Sequence, residues 1–360
     1  MTPPATPGLA VVLDAGDDAV FTHSALAAHA PYAGRITLHP APGTTSDTAL
    51  AGDLLFALGK PAHLPGRFPH GRPPLWEAAS AWTAALAVTR LTVLRAHLLD
   101  ERRLQRLLAL WRQTGIHLTL VVHRPRLTAA LDRALAGLPH TRTTILAAAR
   151  ALYGSDPAPP TDAGPAAAVP VGTGVEPERW LTLSSLDRLV SYDSPSPCTG
   201  PCSPDLIDWK HRPAPTPLTP AQAEEGARRI HTVTAHPRLA AALATTLFTG
   251  ASFQQLATAR SDDFHDAPAL LALHDQARFT DGCATHPVPP WAIVFLRAAT
   301  RYAHLTQATY LLAGPGERPA VLRLAEAAGL RPPQPPGAER SARKDAVVWD
   351  WREVQEAHGY

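Results

Sequence analysis

Three carboxylates stand close together near the start of the chain: Asp14, Asp17 and Asp18. They come at the end of Leu9 to Asp14 (LAVVLD), a short apolar run that reads as a buried strand. Acidic groups just after a strand can hold a divalent ion and activate a water on it. A metal-dependent hydrolase or nuclease using Asp14, Asp17 and Asp18 is therefore one expectation. A second group of chemistry-bearing residues is Cys198-Thr199-Gly200-Pro201-Cys202, followed by His211. Zinc needs four such donors. No fourth lies nearby and Cys283 is distant, so an ordinary loop with free thiols is the preferred reading of Cys198 and Cys202. Histidine is abundant, at 17 residues, but no His-x-x-x-His pair shares a convincing helix with a Glu.

The loop after the first strand also compares with a phosphate-binding loop. Such a loop reads GxxxxGK[ST]: its backbone N–H groups surround the phosphates, its Lys neutralises charge and its hydroxyl holds Mg²⁺. Starting at Gly16, Phe21 stands where the second glycine belongs, Thr22 where the Lys belongs and His23 where the hydroxyl belongs. Asp17 and Asp18 would repel phosphate. The third strand ends Leu94-Arg95-Ala96 instead of in a metal-binding acid and a catalytic Glu. Gly16, Phe21, Thr22 and His23 thus read as a degenerate phosphate loop. Tight Mg-nucleotide binding is not expected, and no catalytic, metal or cofactor residue is assigned.

The elements that would position these residues alternate. Strands are expected at Leu9 to Asp14, Arg35 to His39, Leu91 to Leu94 and Ile116 to Val122. Helices are expected at Ala19 to Ala30, Ala49 to Leu58, Leu75 to Ala87, Asp100 to Gln113, Arg126 to Ala136 and Thr144 to Leu152. The Asp100 to Gln113 helix is strongly amphipathic: Leu104, Leu107, Leu108 and Trp111 share a face, and Arg102, Arg103 and Arg106 lie largely off it. This alternation implies an α/β fold, a parallel sheet covered on both faces in three layers. The run from Asp53 to His123 resembles the AAA-type ATPases that assist transposition. The resembling pieces are Leu54 to Arg67 (LLFALGKPAHLPGR), the helix before LTVL, and Leu98 to His123 (LLDERRLQRLLALWRQTGIHLTLVVH). That resemblance implies a P-loop type domain over residues 1–152, and assembly on DNA.

Residues 153–177 are rich in Pro, Gly and Ala and read as a linker. A mainly helical domain is expected over 178–360. Thr182 to Val190 reads as a helical segment, and Thr219 starts a helix with a capping pattern that reaches about Val233. Pro237 to Phe248, Ser252 to Ala259, Trp291 to Ala303 and Val321 to Ala328 are further helices. Leu270 to His274 and the run near Val288 could pair as a hairpin. Within this domain Leu247 to Phe264 (LFTGASFQQLATARSDDF) resembles the first signature of tyrosine recombinases, the phage integrases. Thr249, Gly250, Gln255, Leu256 and Asp263 carry the resemblance. His286-Pro287-Val288-Pro289 resembles the stretch leading into a long helix, and Leu324 to Leu330 (LAEAAGL) the segment before the His-x-x-Arg box. The resemblance implies an Arg clamp on the scissile phosphate and a tyrosine nucleophile. Here Ser252 occupies the first Arg position, Arg331-Pro332-Pro333-Gln334 replaces the box, and Tyr360 is the last residue. The same segment admits a helix-turn-helix transcription regulator as an alternative.

Composition narrows the partners. The chain has 360 residues, a net charge of +2 and 38 prolines. A near-neutral charge argues against a non-specific nucleic-acid coat but leaves room for a local basic face. Arg260, Arg278, Arg331, Arg340, Arg343 and Lys344 are the candidate nucleic-acid contacts. No run approaches the roughly 20 apolar residues that span a bilayer, so no membrane is expected. With three Cys and no secretion signal at the N-terminus, a cytoplasmic location is expected. The combined expectation is a non-catalytic DNA-associated or assembly and regulatory factor without cofactor, whose nucleic-acid partner would be double-stranded DNA. Self-association or a protein partner would use the Asp100 to Gln113 helix, and a mobile or phage-derived element is the expected source.

Overall fold

The computed structural model describes residues 8–41, 46–66, 68, 71–154, 181, 183, 186, 217–273 and 284–331. The chain divides into two compact units, 1–64 with 72–177 and 65–71 with 178–360. The segment 65–71 groups with the second unit, although it lies inside the first in sequence. Sequence patterning gave no signal of this, because the grouping depends on contacts far along the chain.

The first unit holds β1 (Leu9–Leu13), α1 (Ala19–Ala27), β2 (Arg35–Leu38), α2 (Asp47–Ala57) and α3 (Leu75–Ala85). It continues with β3 (Arg90–Val93), α4 (Glu101–Thr114), β4 (His117–Val122), α5 (Ala129–Leu135), β5 (Thr141–Thr143) and α6 (Leu146–Tyr153). All strand pairs are parallel, and the five-stranded sheet runs β2-β3-β4-β1-β5. Strand interiors such as Val11, Val12, Leu118 and Val121 are buried, as a sheet covered on both faces requires. The α/β class and the parallel sheet match the sequence expectation. β5 was not expected: Thr-Arg-Thr has no apolar run, and only pairing to β1 makes it a strand.

Local chemistry explains most boundaries. Asp18, Ser46, Asp100 and Thr128 cap α1, α2, α4 and α5, each side chain accepting a backbone N–H of the first turn. Gly115 closes α4 in the left-handed conformation, φ 71°. The apolar stripe of α4 (Leu104, Leu107, Leu108, Trp111) is buried as its periodicity demands. Helices α1 and α6 pack together, while α2, α3, α4 and α5 form a second group. Between α1, α6 and the sheet lies a core of Val12, Phe21, Ala25, Leu94, Val121, Ala149 and Tyr153.

The second unit holds α7 (Pro220–Val233), α8 (Pro237–Thr249), α9 (Phe253–Leu256), β6 (Phe264–His265), β7 (Leu270–Leu273), β8 (Ala284–Pro287), α10 (Pro290–Thr306) and α11 (Arg318–Ala327). Its strands form a three-stranded antiparallel sheet, β6-β7-β8. Thr219 and Gln222 make the expected capping box at α7. Helix α8 is buried nearly all round, from Leu239 to Leu247, and packs against α7, α10 and α11. The helix expected over Ser252 to Ala259 is shorter, ending at Leu256, where the Thr258 hydroxyl donates to the Gln255 carbonyl and the chain turns. The Thr182 to Val190 expectation falls mostly outside the described residues. Among the described residues, no helix is long and apolar enough to cross a membrane.

Candidate functional site

Four strands of the first unit end alike, with an apolar residue followed by a polar one. Asp14 follows β1, His39 follows β2, Arg95 comes two residues after β3, and His123 follows β4. Because the strands are parallel, these residues gather at one edge of the sheet. The register pairs Leu13 with Val122, which brings Asp14 and His123 side by side. The connections leaving these two strands, α1 and α5, belong to the two different helix groups. Neighbouring strands whose connections diverge leave a crevice at their carboxyl ends, the usual ligand position in such sheets.

Asp14 and His123 are both buried. His123 Nδ1 lies 2.9 Å from Asp14 Oδ2 and 3.1 Å from Asp17 Oδ1. The other Asp14 oxygen, Oδ1, accepts the Asp18 N–H at 2.9 Å. Asp17 is held in the left-handed region, φ 50°, and its half-exposed carboxylate lies 3.9 Å from Arg95 Nη2. Asp14, Asp17 and His123 offer donor atoms that all lie within 4.8 Å of one another. His97 stands edge-on to His123, ring centroids 6.0 Å apart, and its Nδ1 accepts the His123 backbone N–H at 3.4 Å.

The surroundings are partly dry and electropositive. Burial, then Arg124, His123 and Arg95, lowers the pKa of His97. Burial, then Arg95 and His123, lowers that of His39. Both imidazoles therefore favour the neutral form. Tyr153, in the core that holds Val12 and Val121, is buried, and its hydroxyl has no hydrogen-bond partner among the described residues. Burial and the Asp14 charge hold its pKa well above the usual phenol range. His123 Nε2 likewise has no hydrogen-bond partner among the described residues.

The residues of the expected acidic trio and phosphate loop separate. Asp18 is not in the cluster: its carboxylate accepts the Val20 N–H at 3.0 Å and caps α1. Only residues 14 to 18 lie between β1 and α1, so Phe21, Thr22 and His23 sit on the helix and not in a loop with Gly16. Phe21 is buried in the core beneath α1. A Cβ on Gly16 would meet nothing within 4 Å, so no close backbone approach calls for glycine there. The residue missed in the sequence reading is His123. Its signal was a polar residue ending an apolar strand, as with Asp14, but its meaning depended on β4 lying beside β1.

In the second unit the recombinase-like positions serve the fold. Gly250 closes α8 with φ 64°. Ser252 is buried and caps α9: its hydroxyl accepts the Gln255 N–H, and Gln255 Oε1 accepts the Ser252 N–H at 2.9 Å. Thr249 donates to the Thr245 carbonyl at 2.7 Å. Asp263 accepts the Arg260 N–H at 2.7 Å. Of the candidate nucleic-acid contacts, Arg260 is exposed, whereas Arg331 is buried and its Nη1 has no hydrogen-bond partner among the described residues. Arg278, Arg340, Arg343 and Lys344 lie outside the described residues, as do Cys198, Cys202, His211 and Cys283. A cleft of about 400 Å³ is lined by Phe264, Asp266, Arg297, Thr300, Arg301 and His304, with Arg297 donating to Asp266 at 2.7 Å. On α4, Arg102 reaches Asp47 at 2.6 Å and Arg103 reaches Asp100 at 3.2 Å.

No family model, curated protein or solved structure matches this chain.

Proposed function

We propose that the protein is a non-catalytic, DNA-associated assembly or regulatory factor, built from an ATPase-like unit and a recombinase-like unit. The observation that carries this reading is Ser252. It stands where strand cleavage would need a phosphate-clamping Arg, and its hydroxyl is committed to capping α9 inside the fold. The order α8, Gly250, α9, a β7–β8 antiparallel pair and then the long helix α10 supports the recombinase-like reading. In the first unit a strand, turn and helix inside a parallel sheet support the ATPase-like reading, and the placement of Phe21 in the core leaves no loop to wrap phosphate.

DNA association draws on the second unit's cleft. Arg297, Arg301 and His304 follow one another along α10 at spacings that keep them on one side of the helix. Arg297 and Arg301 so arranged can follow a phosphate backbone without reading base sequence. Arg260 adds an exposed cation close in sequence to the Phe264 wall of the cleft. Assembly through α4 would use its exposed Arg102, Gln105, Arg106, Arg112 and Gln113, because its apolar stripe is already buried.

The test is fluorescence anisotropy with a labelled duplex at low salt. Binding should weaken steeply as salt rises, since each neutralised phosphate contributes about 0.9 to the log–log slope. Arg297→Ala with Arg301→Ala should weaken it further, with no covalent tyrosine–DNA adduct and no ATP turnover. Absence of any duplex affinity at low salt refutes the DNA half of the reading. An adduct, or ATP turnover abolished by changes near Gly16, refutes the non-catalytic half.

A further inference from the structure

We infer that the carboxyl edge of the first unit's sheet is a binding site for one divalent transition-metal ion, held by Asp14, Asp17 and His123. The spacing fits. Two ligand atoms each about 2.1 Å from one ion, at right angles about it, stand about 3.0 Å apart. His123 Nδ1 is 2.9 Å from Asp14 Oδ2 and 3.1 Å from Asp17 Oδ1. A single imidazole N–H can fully serve one acceptor, yet Nδ1 faces two carboxylates. A cation between the three atoms satisfies both at once.

A second observation is independent of that spacing. The His123 side chain is 1% exposed and its Nδ1 edge is turned into the gap between the carboxylates. Burial thus holds the imidazole in the orientation of a metal ligand before any ion arrives. The Tyr153 hydroxyl, in the core that also holds Val12 of β1, is a buried group without a hydrogen-bond partner among the described residues.

The donor set indicates the class of ion. One imidazole and two carboxylates suit Mn²⁺ or Zn²⁺ better than Mg²⁺, which prefers oxygen and keeps its waters. Three protein ligands leave open positions on the ion. The Asp17 carboxylate is 54% exposed, so these positions face solvent on its side. Arg95 stands there too, and an anionic oxygen ligand would meet both charges. The site uses different residues from the second unit's cleft, so it and DNA association can fail separately.

The experiment uses the full chain, stripped with chelator and then titrated with MnCl₂ while the free ion is followed by paramagnetic resonance. Equilibrium dialysis against ZnCl₂ and MgCl₂ runs in parallel. One saturable Mn²⁺ or Zn²⁺ per chain is expected, with Mg²⁺ at least about tenfold weaker. Asp17→Asn should weaken Mn²⁺ binding at least about tenfold and abolish the rise in melting temperature that the ion produces. Because Asp17 is half exposed, its metal-free melting should match that of the parent chain, and duplex binding should be unchanged. His123→Gln should lose the site as well. No saturable Mn²⁺ or Zn²⁺ binding below about 1 mM overturns the inference. So does an Asp17→Asn chain that binds both ions as the parent does.

Discussion

The carboxyl edge of the first unit's sheet and the α8–α9 corner of the second treat their polar residues in opposite ways. At the corner, Thr249, Ser252, Gln255 and Asp263 are all hydrogen-bonded locally, to backbone a few residues away. At the edge, Asp14 and His123 meet from positions 109 residues apart, and His123 Nε2 and, in the core beneath, the Tyr153 hydroxyl have no partners among the described residues. The corner has spent its polar groups on ending one helix and starting the next. The edge has buried polar groups that its own fold does not satisfy. Since leaving a buried group unpaired costs about 1–3 kcal/mol, the second pattern points to a ligand and the first to a structural role.

Substitutions at the two places can break or sharpen this contrast. The largest effect is expected at the buried member of the edge. Asp14→Ala removes the buried one of the two carboxylates at His123 and the acceptor of the Asp18 N–H, and should cost about 3 kcal/mol in urea unfolding. A cost near zero would mean the edge is not organised by Asp14, and the contrast would fail.

The next effect is a pH dependence in the second unit. His236 precedes α8, is fully buried against Tyr302, and has its pKa lowered from 6.5 to about 3 by burial, with Arg238 adding to the shift. The folded state keeps this imidazole neutral while the unfolded chain takes up a proton below pH 6.5. Stability is therefore fully present above pH 6.5 and is lost as pH falls toward about 3. The slope should be about 1.4 kcal/mol per pH unit from this one group. Denaturant midpoints between pH 7 and about 5 measure it, and His236→Leu should flatten the profile.

The smallest effect belongs to the corner. Ser252→Ala removes the cap of a four-residue helix and should cost about 1 kcal/mol. It should leave duplex affinity and metal binding unchanged. If it abolished DNA binding without a stability cost, Ser252 would be a contact residue, and the corner would have to be read as the edge is.

Much of the architecture was legible because it is local. Asp100, Thr219 and Gly115 mark helix ends by chemistry that acts within one turn. The apolar stripe of α4 follows from a period of 3.6, and the β1 and β4 interiors from continuous apolar runs. β5 and β6 escaped notice because three and two residues carry no period. The acidic trio was half legible. Asp14 and Asp17 do meet, but Asp18 lies at a helix start, where a carboxylate is worth more as a cap.

By itself the sequence determined most strands and helices of the first unit, and that a polar residue follows the apolar runs of β1 and β4. It also determined that a serine, not an arginine, stands at position 252. Only the tertiary structure decided that β4 lies beside β1, and therefore that His123 joins Asp14 and Asp17. The reason is physical: periodicity and capping act within a few residues, while strand order is set by which buried faces cover one another across the whole unit.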